Sequence, residues 1–529
     1  MVAVPAVVAE GASSSLCKEV TVRLSKFCTI LMICLALLAC SALVSAAPKR
    51  GGTLKVALWG DIETLDATKT PQVPVADSIR WTIWETLVRY VGGEELYQPM
   101  LAESWEWTEP STIVFHLRHG VKFHNGTPFT SADVKFSIER MKDPANALAN
   151  ANYVKVVSEV VALDDYTVQF KLSSPYAGLL TNLDYVLIVS KANPPTSSGT
   201  PIGTGPFKFV EWIPGDHLTI ERFADYWNPE LPYLDRIIFT PIPDEQTRIA
   251  NLESDAVQLA DDISLAQLAR VGSNPNLAVY TGPIGSKLIA ALFVTDIPPM
   301  NNLLVRRAIA YCIDRAGFVS TAFSGHGTVT ENIYSPQNPY YNPVTETVYS
   351  YNLEQARALF KQAGYPEKFP PEASPIVITI PTGNTAFENA AVILQSSLRE
   401  AGVRCEVEKY DMSAWVSVRE TKQIIITLYS YGGVDPSIVL ATNLISPTKN
   451  NCHYYDGQLT NLINAAVGIQ DLNLRKIAYN DLQGILSYEC PFSVVAAYEL
   501  RHAAQTYLKG VQISQSLSQP YYAEMWLDK

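Results

Sequence analysis

Three histidines, His116, His119 and His124, lie close together in the sequence, and a histidine cluster is the first place to look for a metal ion. A helix-borne pair needs a four-residue spacing that puts both rings on one face. Here Ile113, Phe115 and Leu117 alternate with Val114, His116 and Arg118, and Val121 and Phe123 alternate with Lys122 and His124. That period of two predicts strands, with turns at His119-Gly120 and Asn125-Gly126. His116 and His124 then project from strands and His119 from a turn, so they read as surface or turn histidines and no metal is assigned. The adjacent carboxylates Asp261-Asp262 and Glu94-Glu95 suggest acid–base chemistry. Glycoside hydrolysis needs two carboxyls about 5–9.5 Å apart, which adjacency does not supply, so both pairs read as solvated. Gly203-Thr204-Gly205-Pro206 is glycine-rich, but Pro206 removes a donor that a phosphate cradle needs, and a strand follows in place of a helix. It reads as a loop or boundary. GxSxG, GxxxxGK[ST], HExxH and a strand-borne GxGxxG are absent. No cofactor is implied.

What the sequence does offer is ring faces. Aromatic residues make up 10% of the chain, and several, such as Trp59, Tyr429 and Tyr431, follow predicted strands. A cleft lined in this way suits a stacked or amphipathic small molecule. A net charge of −12 with no Lys/Arg run argues against nucleic acid as a partner. Arg23 and Lys26 precede an apolar stretch from Phe27 that ends in Ser45-Ala46-Ala47, the pattern of a secretory signal over 1–46. Leu37-Leu38-Ala39-Cys40 offers a second reading, a lipoprotein box with Cys40 lipidated. Either places the mature chain outside the cytoplasm. Cys312, Cys405, Cys452 and Cys490 remain; none has a zinc spacing, and whether Cys452 and Cys490 pair stays open.

The elements that must position a site are clearest over 375–435. Ile376–Ile380 and Ile424–Leu428 are buried strands, and Val403, Cys405 and Val407 form the inward face of another. Helices separate them, which predicts parallel pairing and a ligand beyond the carboxyl ends of the strands. That rule selects the loops 381–384 and 429–435. The ligand-binding candidates are Trp59 and Asp61 after the first strand, Thr382 and Asn384 in one loop, and Tyr410, Tyr429, Tyr431 and Asp435 at the other strand ends. Leu288–Val294 is a continuous apolar run, as for a strand buried on both faces. Residues 303–323 read as one helix with Val305, Ala308, Ile309 and Cys312 on its buried stripe, which makes Cys312 a core residue. Asn352 opens a further helix that Gly364 closes.

Several segments together resemble the bacterial extracellular solute-binding proteins of the peptide, nickel and opine class. They are Leu101-Ala102-Glu103-Ser104-Trp105 leading into residues 115–126, Gly203-Thr204-Gly205-Pro206-Phe207 through Asp225-Tyr226-Trp227, Val305–Arg315, and Ala356–Tyr365. The resemblance implies an α/β fold of the two-lobed, type II periplasmic-binding-protein kind, in its large peptide-binding class. A discontinuous first lobe would take 47–290 and 498–529, with an inserted subdomain near 83–206, and a second lobe 291–497. Crossovers would fall at Leu288–Val294 and near Val495–Leu500. It further implies a monomer in the periplasm that takes up a small-molecule ligand between the lobes and passes it to an ABC transporter permease at the inner membrane, without catalysis. In the family's dipeptide binders an Asp before an Asp-Pro pair holds the peptide amine, and an Arg after the strand matching 376–380 holds the carboxylate. Here Gly432-Gly433 precede Val434-Asp435-Pro436, and Pro381-Thr382-Gly383-Asn384 follow that strand. Neither charge is present, so a free dipeptide should bind poorly. The rival reading is a secreted hydrolase acting on glycan or peptide, which turnover would reveal.

Overall fold

The computed structural model describes residues 47–529 except 70–79, 93–95, 149, 197–198, 284–286, 335, 337, 366–374, 432–434, 436–439, 441–449 and 517. The export segment and Glu94-Glu95 lie outside the described residues. Among those described, no helix is long and apolar enough to cross a membrane. Everything below concerns residues 50–529, which form one unit.

Three sheets carry the fold. The first has seven strands in the order Leu277–Thr281, Arg501–Gln505, Leu259–Ala260, Thr53–Leu58, Arg236–Pro241, His217–Arg222 and Phe207–Ile213. Thr53–Leu58 is central and parallel to both neighbours. Leu54, Val56 and Leu58 enter one core and Ala57 the core behind it, as the period of two requires. The second sheet is antiparallel, Ala102–Glu109, Thr112–Leu117, Thr167–Leu172 and Val157–Asp164. Helix Ser131–Lys142 packs on it, opened by a capping box between Thr130 and Asp133.

The third sheet runs Cys405–Tyr410, Ile376–Pro381, Ile424–Tyr431, Lys287–Phe293 and Phe492–Tyr498. Ile376–Pro381 is parallel to both neighbours, as the intervening helices predict. Lys287–Phe293 is antiparallel to both of its own. Its residues divide strictly by parity: Leu288, Ala290 and Leu292 enter the largest core, and Ile289, Ala291 and Phe293 the second.

Two expectations need correction. The run Leu288–Val294 is strand interior and carries no crossover; the chain changes sheet between Thr281 and Lys287 and again between Tyr498 and Arg501. A lobe boundary at 290/291 would cut a strand whose two faces are both buried, and the hydrogen-bond ladder keeps that strand whole. The two crossings are tied by the Gly282 N–H, which donates to the Leu500 carbonyl at 2.9 Å. The single helix expected over 303–323 is two helices, Leu303–Tyr311 and Arg315–Ala322. The break has a local cause: the Asp314 carboxylate accepts from the Gly317 N–H at 2.8 Å and starts a new helix as its N-cap. Cys312 is nevertheless fully buried.

The glycine-rich loop is a close-packed joint. A Cβ on Gly203 would lie 1.9 Å from the Ile83 carbonyl oxygen, and one on Gly205 would lie 2.5 Å from that of Thr82. Only hydrogen fits at either place. His124 grips the same loop: its backbone N–H donates to the Gly203 carbonyl at 2.9 Å, Nδ1 accepts from the Gly203 N–H at 3.3 Å, and Nε2 lies 3.0 Å from the Gly205 carbonyl. Those partners require a neutral ring protonated on Nε2. Burial pushes His124 down to about 4.

Gly203→Ala should therefore lower stability by about 3 kcal/mol in urea titration, since the backbone it meets cannot rotate away; a loss within experimental error would show that the loop does not pack there. The His124 shift also has a sign. The unfolded ring binds a proton near its ordinary pKa of about 6.5 and the folded ring resists it, so stability is full above that pH and falls on acidification toward 4. Unfolding curves of His124→Gln between those limits should be flatter with pH than those of the parent chain.

Candidate functional site

The carboxyl ends of three parallel strands, at Pro381, Tyr410 and Tyr431, lie at one end of the third sheet. Pro381 pairs with Tyr410, and the Thr382 N–H donates to the Tyr410 carbonyl at 2.8 Å. This brings Thr382, Asn384 and Tyr410 to one sheet corner. Asn384 opens helix Thr385–Glu400, its Oδ1 accepting from the Phe387 N–H at 3.1 Å, so only its amide group is left for a solute. The Thr382 side chain is exposed. The Tyr410 hydroxyl donates to Glu408 at 2.5 Å, and Lys422 sits 2.8 Å from the same carboxylate. Tyr429 and Tyr431 lie in strand Ile424–Tyr431, where Tyr431 pairs with Lys287 and a register shift follows at Leu288/Ile289.

Trp59 and Asp61 leave the first sheet at the carboxyl end of Thr53–Leu58. Trp59 is 37% exposed. The Asp61 carboxylate accepts from the Ile62 N–H at 2.7 Å and from the Gly215 N–H at 2.8 Å, fastening the hairpin turn between His217–Arg222 and Phe207–Ile213. Its contacts stay within the first sheet, as those of Thr382 and Asn384 stay within the third.

Asp435 behaves differently. It is 3% exposed, accepts from the Tyr340 hydroxyl at 3.1 Å and faces Arg475 at 3.4 Å. Arg475 belongs to helix Leu472–Glu489 and is itself 5% exposed in its side chain. Burial pulls the guanidinium down, but the Asp435 charge together with Tyr340 and Tyr97 offsets this and holds it above its ordinary value. Tyr97, from the small hairpin Val88–Tyr90/Tyr97–Pro99, is held neutral first by burial and then by the Asp435 charge, with its hydroxyl 2.6 Å from Thr181. The cluster thus joins the hairpin Val88–Tyr90/Tyr97–Pro99 to helix Leu472–Glu489 and the loop after strand Ile424–Tyr431. Two further links do the same: Ala177 N–H to the Val467 carbonyl, and the Gln470 amide to the Pro110 carbonyl, both 2.9 Å. Sequence reasoning found Asp435 but missed Arg475, Tyr340 and Tyr97. An arginine on the buried stripe of helix Leu472–Glu489 was the available signal, because an arginine is rarely buried without a partner.

The other candidates have structural explanations. His119 rests on Tyr166, ring centroids 4.0 Å apart, and His116 lies 3.9 Å from Glu106. Among the described residues no group of three or more His, Cys, Asp or Glu could hold a metal ion. Asp261-Asp262 is not solvated as expected: Asp261 is buried 2.8 Å from the Nδ1 of fully buried His502, and burial raises Asp262. Cys312, Cys405, Cys452 and Cys490 are buried free thiols, each pushed up to about 12 by burial, so none is a thiolate nucleophile at neutral pH.

Breaking the Asp435–Arg475 pair on one side leaves a buried charge uncompensated, so Arg475→Met should cost about 3–5 kcal/mol. Adding Asp435→Leu should recover most of that loss in chemical denaturation, and simple additivity of the two changes would show the groups to be uncoupled.

Comparison with known proteins fits this architecture. The glutathione-binding protein GsiB of Pectobacterium atrosepticum is 29% identical over 438 residues, covering 78% of this chain and 83% of that protein. The structure of the PBP AgaA from A.tumefacien R10 in complex with agropinic acid superposes with a TM-score of 0.75 at 25% identity, over 90% of this chain and 99% of that one. The periplasmic binding protein DppA of Helicobacter pylori, associated with an ABC transporter and in complex with the peptide STSA, gives 0.75 at 26% identity, over 91% and 99%. The profile of the bacterial extracellular solute-binding proteins, family 5, matches residues 97–451, and with that match over most of its length the chain belongs to this family.

Proposed function

We propose that this chain, as the substrate-binding component of an ABC importer, captures a small polar solute beyond the strand ends at Thr382, Asn384 and Tyr410 and closes on it against Trp59 and Asp61. The solute is an opine, a peptide longer than a dipeptide, or a sugar conjugate. The observation that carries this choice is the state of Asp435. Its carboxylate already faces Arg475 and Tyr340 in a buried setting, so it could receive a ligand amine only by giving up that pairing. What the strand ends of the third sheet offer is neutral: the Asn384 amide and the Thr382 hydroxyl donate and Tyr410 presents a ring, while the first sheet adds the Trp59 ring and the Asp61 carboxylate, already engaged by two backbone N–H groups. Such groups suit carboxylate, hydroxyl and amide functions of a solute. The relatives support the range, since one is named for glutathione and two neighbours hold agropinic acid and a tetrapeptide.

Closure follows from differential affinity. A solute that touches both sheets stabilises only the arrangement in which both reach it, and the two crossings between 281 and 287 and between 498 and 501 are where the chain must bend. The closed form is then delivered, as a monomer in the periplasm, to a membrane permease. No bond is made or broken, which matches a family of binding proteins.

A thermal-shift screen tests the reading. At a free concentration of 100 times Kd a ligand stabilises the chain by about 2.7 kcal/mol, enough to move Tm by several degrees. Agropinic acid, glutathione or tetrapeptides should give such a shift and be recovered unchanged, while plain dipeptides should not. Submicromolar binding of dipeptides, or accumulation of product, would refute it.

A further inference from the structure

Arg501 stands at the second of the two crossings, where the chain leaves the third sheet after Tyr498 and enters the first. Its backbone is fixed to the first sheet: it pairs with Thr281, and its carbonyl accepts from the Ile263 N–H at 2.8 Å. Its side chain reaches back toward the crossing. Nη1 donates to the Glu499 carbonyl at 2.7 Å, and Nη2 donates to the Glu499 carboxylate at 2.8 Å and to the His326 carbonyl at 3.3 Å. His326 belongs to the third-sheet side. Its N–H donates to the carbonyl of Phe323, a residue of the core behind that sheet, and Thr328 exchanges backbone hydrogen bonds with Ala497 at 2.7 and 3.0 Å. The loop is thereby tied to strand Phe492–Tyr498. One guanidinium joins the first sheet, the crossing and the third sheet.

Arg501 and Glu499 are both buried. Burial holds the guanidinium below its ordinary value, against the opposing fields of Glu499, Tyr498 and Asp262, so a partner lost here leaves a charge that water does not compensate. A rotation of one sheet against the other is absorbed by dihedral changes in a few residues, which at this crossing are Glu499, Leu500 and their flanks. A bend before Glu499 draws the fork away from His326. A bend after it draws the fork away from Glu499. Either way a bond is given up, because a planar fork meets three fixed acceptors at one angle only.

We propose that Arg501 is a positioning residue for closure: its fork sets the angle between the first and third sheets and resists bending at the second crossing. This rests on the reading of a solute captured between those sheets, and adds to it the residue that holds the resting angle.

The angle is read as a distance between spin labels on Val210→Cys in the first sheet and Val392→Cys on helix Thr385–Glu400, both exposed, by pulsed electron resonance on the unliganded chain. The four native thiols at Cys312, Cys405, Cys452 and Cys490 are buried, so the labels go to the introduced ones. Arg501→Met should broaden or displace the distance distribution, and Arg501→Lys, which keeps the charge without the fork, should do the same. Arg306→Met is the control. It removes an equally buried guanidinium whose partners, the Met300, Glu489 and Cys490 carbonyls, all lie on the third-sheet side, so it should lower Tm and leave the distance as in the parent. A parent-like distribution in Arg501→Met would overturn the proposal. So would an equal displacement in Arg306→Met, which would make the effect a general loosening. Should Arg501→Met fail to fold, Arg501→Lys decides by the same comparison. The two readings fail separately. A parent distance unchanged by a solute that raises Tm ends the closure reading and this proposal with it, whereas a parent distance that does change, with Arg501→Met matching the parent, ends only the role of Arg501.

Discussion

The fold depends on one strand being buried on both of its faces. Lys287–Phe293 runs through the third sheet between Ile424–Tyr431 and Phe492–Tyr498, and its side chains alternate between two cores. The core on the Leu288 face also contains Leu54, Val56, Phe207 and Leu218 from the first sheet, while the Ile289 face belongs to the third sheet's helices. A polar residue anywhere in the run would place an unpaired group in one core or the other. The sequence there is accordingly Leu, Ile, Ala, Ala, Leu and Phe without interruption.

Around that strand the layers are fastened by buried arginines donating to backbone carbonyls. Arg306 reaches the Glu489 and Cys490 carbonyls, and Arg315 reaches those of Val494 and Tyr349 together with the Ser493 hydroxyl. Arg248 does the same for Asp261 and Asp262 in the first sheet. Several donors per guanidinium, spread over a fixed plane, suit an irregular set of carbonyls at the end of a helix or strand. This gives a physical reason for the segment Val305–Arg315, one of those on which the family resemblance rests: Arg306 sews the first short helix to the end of helix Leu472–Glu489, and Arg315 the second to strand Phe492–Tyr498. The Gly203–Gly205 segment has a comparable reason, since the chain approaches Thr82 and Ile83 too closely for any side chain.

Asp435 and Asn384 differ in how much hydrogen-bond capacity each keeps. Both stand in loops after parallel strands. Asp435 is consumed by an internal partner on a distant helix, whereas Asn384 spends one atom on a cap and keeps its amide. Loop position alone therefore does not fix what a polar side chain has left to offer; its internal partners do.

Local pattern alone determined much of the architecture: the strand Thr112–Leu117, the parallel strands of 376–431, the buried run at 288–294 and the capped helix beginning at Leu353; the second strand expected over 121–124 is absent, Lys122 making only an isolated bridge with Pro128. Each rests on periodicity or on a cap a few residues away, and such interactions are contained in neighbouring letters. The ends of those parallel strands were legible for the same reason, because strand order predicts which ends collect. What only the tertiary structure decided depends on contacts across long stretches of chain. Those are the place where the chain leaves one sheet for the other, the pairing of Asp435 with Arg475, the burial of Asp261 against His502, and the reach of Arg501 to His326. A charged residue looks the same in sequence whether solvated or paired, and its partner is chosen by packing rather than by spacing.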